Sequence, residues 1–140
     1  ALIGSSTTFI YLEHQFFISA PTAATNFPDP GLAVKNRIMA ALADRIIQAH
    51  KKREAFRLCL IMPLQPAFEA PLERPEATTC RLVMQAQYAT LSKGPMSLLG
   101  QLRAHNVPVE DYLFIGSLRK WGRLPSGGVV TEQLYVHSKL

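Results

Sequence analysis

Two short apolar runs, residues 7–19 and 56–63, flank a stretch whose apolar side chains recur at helical spacing, and this pattern restricts the fold more than any other feature. Ile38, Leu42, Ile46 and Ala49, at spacings of four, four and three, make one stripe and predict a helix over 32–52. Its last turn carries His50, Lys51, Lys52 and Arg53, which suits the negative end of the helix dipole. The run 56–63 stops at Pro63 and reads as a strand covered on both faces. Strand, helix, strand implies a parallel pair joined by a right-handed crossover. With 140 residues, 48% of them apolar, the chain fits one α/β domain with a real core.

Residues 7–19 read as a buried strand, on which Phe9, Tyr11, Glu13, Gln15 and Phe17 alternate with Ile10, Leu12, His14, Phe16 and Ile18. A carboxylate and an amide among so many apolar neighbours are costly unless hydrogen-bonded, so Glu13 and Gln15 should hold or orient something. The plainer alternative is that they only tie neighbouring backbone together. His14 falls on the apolar face, where it packs. Residues 21–30, with three prolines, read as a loop, as do residues 63–75 with four. Helices follow at 78–91, with Thr78 or Thr79 as cap, and at 96–105; strands follow at 112–116 and 129–140.

The last strand carries the chemistry. Side chains two apart on a strand point the same way, roughly 6.6 Å apart, so His137 and Lys139 share a face. A neutral imidazole beside a fixed cation suits attack at phosphorus with charge on the nonbridging oxygens. A net charge of +5 favours phosphate-bearing partners, although charge alone does not choose among lipid, nucleic acid and an ordinary solvated surface. Cys59 and Cys80 form no Cys-x-x-Cys pair and read as buried free thiols. No apolar run reaches the ~18 to 20 residues that span a bilayer, and no leader pattern is present. The chain starts at Ala1 without methionine and stops inside an apolar run, so it reads as a piece of a longer polypeptide.

Several blocks, in order, resemble the eukaryotic phospholipase D family. Residues 10–19, Ile-Tyr-Leu-Glu-His-Gln-Phe-Phe-Ile-Ser, are similar to its Ile-Tyr-Ile-Glu-Asn-Gln-Phe-Phe-Ile motif. Residues 45–50, 61–69, 97–102 and 116–119 look like later blocks, and residues 131–139 like the opening of the second His-x-Lys-x-x-x-x-Asp motif. His14 stands where the family pattern has Asn, a change read as one of packing. The motif's Asp would follow Lys139 by five positions, and the chain ends after one.

The resemblance implies an α/β/α sandwich with a mostly parallel sheet. Residues 1–140 would be part of the C-terminal lobe of a two-lobed enzyme, truncated inside its second motif. It implies hydrolysis of phosphatidylcholine to phosphatidic acid and choline, or transfer to an alcohol, through a phosphohistidine and with no metal or other cofactor required. His137 would be the second-lobe acid and base, Lys139 the phosphate clamp, and Glu13 and Gln15 their support. Phosphatidylinositol 4,5-bisphosphate is implied as an activator, at Arg45, Lys52 and Arg57, with Lys51 as an alternative to Lys52. Arg45 and Lys52, seven apart, share a helix face, and a solvated helix end is the plainer reading of the same charges. The implied partners are a phospholipid surface and the first lobe of the parent chain, not nucleic acid. The implied location is cytoplasmic, at the membrane periphery. The piece alone should be inactive. A nuclease-like phosphodiesterase and a non-catalytic phosphoinositide-binding lobe are the competing expectations.

Overall fold

The computed structural model describes residues 2–20, 34–67 and 70–139. The predicted loop at 21–30, the first positions of the predicted helix, the block residues Phe68 and Glu69, and Leu140 lie outside them. A short helix α1 (Leu2–Ser5) leads into strand β1 (Phe9–Glu13), helix α2 (Ile38–Lys52) and strand β2 (Arg57–Ile61). A 3₁₀ turn (Pro75–Ala77) opens helix α3 (Thr78–Leu91), followed by α4 (Leu98–Ala104), α5 (Val109–Tyr112) and β3 (Leu113–Gly116). Strands β4 (Arg119–Arg123) and β5 (Val129–Gln133) complete the set.

Strands β1, β2 and β3 form a parallel sheet in that order, as an α/β fold requires. Alternation divides their side chains between two faces. Leu58, Leu60 and Leu113 turn to one face and are buried with Met39, Leu42, Ile46, Leu98 and Leu102 from α2 and α4. The opposite face leaves Phe9, Tyr11 and Phe114 more than half exposed, so the strand expected to be buried is covered on one face only. The described residues therefore build two layers of the three expected for an α/β/α sandwich.

The predicted strand 7–19 ends at Glu13, because its partner β2 stops at Ile61 before Pro63. Beyond it, side chains of α3 replace the missing ladder. The Phe17 amide donates to Gln87 Oε1 at 3.3 Å, and the Ser19 amide to Thr90 Oγ1 at 3.1 Å. Helix α2 begins at Ile38, later than predicted, because Asn36 is held by the chain after β1. The Ala20 amide donates to the Asn36 carbonyl, and Asn36 Nδ2 to the Ile18 carbonyl. Ser19 Oγ then accepts from the Met39 amide at 3.0 Å and caps the helix from a distant segment.

Two further expectations are corrected. Thr78 and Thr79 lie inside α3, and Thr78 Oγ1 donates to the Pro75 carbonyl of the 3₁₀ turn rather than capping the helix. The predicted last strand divides: Val129–Gln133 pairs antiparallel with Arg119–Arg123, and the chain then leaves this hairpin. The two cysteines are free, Cys80 buried and Cys59 half-buried.

Candidate functional site

In an open parallel sheet, ligand sites gather beyond the carboxyl ends of the strands, where connecting loops diverge. Here those ends are Glu13, Ile61 and Gly116, which lie side by side. The segment 134–139 runs across them. His14 and Lys139 form an isolated antiparallel bridge, and the Gln15 amide donates to the Ser138 carbonyl at 2.9 Å. Although it is not a continuous strand, the segment keeps strand-like alternation: Val136 is buried and Ser138 half-buried, while Tyr135, His137 and Lys139 face solvent.

Two parts of the chain hold it: the end of β1 with the residues just after it, and the loop at 65–66. Ser138 Oγ donates to Glu13 Oε1 at 3.2 Å, and Tyr11 OH donates to Glu13 Oε2, also at 3.2 Å. Gln15 Nε2 donates to Tyr135 OH, which in turn donates to the Pro66 carbonyl. Gln65 and Gln133 exchange two bonds: the Gln65 amide donates to Gln133 Oε1 at 3.1 Å and Gln133 Nε2 to the Gln65 carbonyl at 2.9 Å. Glu13 and Gln15 thus hold Ser138, next to His137, and Tyr135, two residues before it. The His137 ring stacks on Tyr135 at 6.1 Å between centroids. Lys139 Nζ folds back to the His137 carbonyl at 2.7 Å. An exposed imidazole on a pinned backbone can exchange a proton or attack an electrophile, and an exposed ammonium two residues on can meet an anion.

Gln65, Gln133 and Tyr135 were not singled out from sequence. The available signal was Gln65 standing between Pro63 and Pro66, a rigid turn where a side-chain amide has backbone to complement. His14, half-buried, meets Phe17 edge-on at 5.9 Å, and burial holds its imidazole below the usual histidine range.

The three cations assigned to an anion site are not brought together. Arg45 is buried within α2. Its guanidinium lies over Phe56 at 4.1 Å, donates to the Ser6 and Thr7 carbonyls, and pairs with Glu54 at 2.8 Å. Lys52 does share a cleft of about 640 Å³ with Arg45, as the spacing predicts, but Glu54 stands between them, 3.9 Å from the ammonium. Arg57 turns to the other side and donates to the Glu110 and Asp111 carbonyls. Lys51 and Lys52 remain exposed. Among the described residues no three His, Cys, Asp or Glu side chains are grouped to hold a metal ion, and no helix is long and apolar enough to cross a membrane.

No family model matches the chain. Curated proteins do. It is 39% identical over 140 residues to phospholipase D1 of Saccharomyces cerevisiae, covering 99% of this chain and 8% of that protein. Against phospholipase D of Phytophthora infestans it is 41% identical over 139 residues, covering 99% of this chain and 7% of that protein. Against human phospholipase D1 it is 36% identical over 141 residues, covering 99% of this chain and 12% of that protein. The chain therefore spans a small part of the length of the relatives it matches.

Proposed function

From a chain that matches eukaryotic phospholipases D across nearly its whole length, we propose that the parent protein is a phospholipase D and that His137 and Lys139 belong to its reaction centre. The observation that carries this reading is the pinned segment 134–139, which presents both side chains to solvent across the carboxyl ends of the parallel strands. Its substrate would be phosphatidylcholine, and its location the cytoplasmic surface of a membrane.

The chemistry follows from what each group can do. A histidine of the parent's other lobe attacks phosphorus, and the bond from phosphorus to the choline oxygen breaks. Protonated His137 gives its proton to that oxygen, so choline leaves as a neutral alcohol group. His137, now neutral, takes a proton from water or a primary alcohol. The oxygen attacks phosphorus, and the phosphorus–nitrogen bond breaks to release phosphatidic acid or the transfer product. Lys139 swings from the His137 carbonyl to the nonbridging oxygens and offsets their charge. Glu13, Gln15 and the Gln65–Gln133 pair keep the backbone around His137 from moving, and so act as positioning residues. No step calls on a metal.

Phosphatidylinositol 4,5-bisphosphate would act through the exposed end of α2, at Lys51 and Lys52. Arg45 then supports the fold behind it rather than touching the lipid.

The deciding experiment is His137→Asn in the full-length protein, with choline release and alcohol transfer both measured. Loss of both, with unfolding temperature retained, is the expected result. Retained turnover would overturn the assignment, and hydrolysis of DNA in place of phospholipid would move it to the nuclease reading.

A further inference from the structure

We infer that the β4–β5 hairpin is a membrane-contacting finger that enters the interface of an anionic phospholipid bilayer beside the reaction centre. The inference rests on the reading that the parent acts on phospholipid, and adds the element that engages the lipid surface.

All five residues of β4 are exposed, and Trp121 is 69% exposed, beside Val129 at 63% and Leu124 at 47%. An indole left in water is costly, whereas a bilayer interface takes its apolar body and leaves its N–H among polar groups. The charges are arranged to suit. Alternation puts Arg119, Trp121 and Arg123 on one face, across from Gln133, Thr131 and Val129 respectively. Arg119 Nε donates to Thr131 Oγ1 at 3.2 Å, which holds that guanidinium along the face. Lys120 lies on the other face, opposite Glu132.

The tip differs from the root. Beyond the last strand pair, Arg123 opposite Val129, the turn residues 124–128 carry no ionisable side chain, and the cations Arg119, Lys120 and Arg123 all lie on its root side. The tip can therefore leave water without burying a charge, and the cations stop at the depth of lipid headgroups. The turn is built by the Leu124 amide donating to the Gly128 carbonyl and the Gly127 amide to the Leu124 carbonyl, with Gly127 at φ +88°. Five residues of strand reach about 17 Å.

The root is tied to the site. The Leu134 amide donates to the Leu118 carbonyl at 2.9 Å, and Gln133 is held by Gln65, so the hairpin and the His137 segment share one anchor. Lipid contact by the hairpin is thereby tied, through that anchor, to the segment that carries the exposed side chain of His137.

The test uses the full-length protein with an environment-sensitive dye on Ser126→Cys and vesicles of phosphatidylcholine with phosphatidylserine. Dye emission should shift to the blue on vesicles and be quenched by bilayer-embedded nitroxide lipids. Trp121→Ser should weaken vesicle binding about tenfold and lower the ratio of turnover on vesicles to turnover on monomeric short-chain phosphatidylcholine. Three results would overturn the inference: a dye that stays in water, a dye already shielded without vesicles because other parts of the parent cover the hairpin, or equal losses on both substrates. Absence of headgroup release from any phospholipid would instead refute the enzymatic reading, while the dye still decides the hairpin.

Discussion

Glu13 and Ser138, 125 residues apart, are joined by a 3.2 Å hydrogen bond from the serine hydroxyl to the glutamate carboxylate. It fastens the end of the first parallel strand to the residue between His137 and Lys139. A carboxylate acceptor makes such a bond stronger than one between neutral groups, and a second donor, Tyr11, holds the carboxylate in place.

Glu13→Ala should therefore slow the reaction more than it unfolds the protein. In the full-length enzyme we expect turnover to fall by about 10- to 100-fold, the cost of small misplacement of a reacting group. Unfolding temperature should move by only a few degrees. Steady-state kinetics beside calorimetry checks this, and a large stability loss with proportionate activity loss would argue for a purely structural role.

Gln65→Ala removes no backbone donor, yet it frees the turn that Gln133 reads, because Gln65 Nε2 donates to the Ala67 carbonyl at 2.8 Å. A loss of about 0.5–1.5 kcal/mol is expected from denaturant titration. Faster amide exchange at residues 133–135 should accompany it.

Gly100 lies in α4 against the turn before it, where an added Cβ would meet the Gly94 carbonyl oxygen at 2.4 Å and that of Pro95 at 2.6 Å. Both are backbone and have nowhere to go. Helix propensity alone would favour alanine here, so Gly100→Ala separates the two effects. Overpacking should win, with a destabilisation of about 1–3 kcal/mol by thermal or chemical unfolding.

His14 gives a pH signature. Burial lowers its folded-state pKa below the unfolded value of about 6.5. The unfolded chain then binds the proton more readily, so His14's contribution is fully present above the unfolded pKa and is lost as pH falls through the folded one. Replacing His14 with Asn should flatten the fall in unfolding temperature below about pH 6.5 relative to the unaltered protein. Equal acid slopes in both proteins would refute this origin.

Arg45→Gln and Lys52→Gln should fail differently. Arg45 is buried between Phe56, Glu54 and two carbonyls, so its loss leaves buried partners unsatisfied and should cost about 1–3 kcal/mol. Lys52 is exposed and paired at 3.9 Å only, so its loss should leave stability nearly unchanged while weakening binding to phosphatidylinositol 4,5-bisphosphate vesicles. Unfolding curves and vesicle sedimentation on both variants separate the roles.

The parallel pairing of β1 with β2 was legible in sequence because a periodic helix between two apolar runs admits few other arrangements. The free thiols and the core stripe of α2 followed from local pattern in the same way. Glu13 and Gln15 stood out because polar groups in an apolar strand need partners, although nothing local said that those partners were Ser138 and Tyr135. What sequence could not supply depended on distant neighbours. β1 ends where Pro63 cuts its partner short, α2 starts where Ser19 caps it, and Arg45 is drawn inward because the carbonyls of Ser6 and Thr7 accept from it. The His137 segment leaves its hairpin because Gln65, Pro66 and Gln15 hold it across the sheet. Periodicity reports which face of an element is apolar, and that is a property of adjacent residues. Which polar group meets which is decided by segments separated along the chain, as far as the 125 residues between Glu13 and Ser138, and only the folded structure brings them within hydrogen-bonding distance.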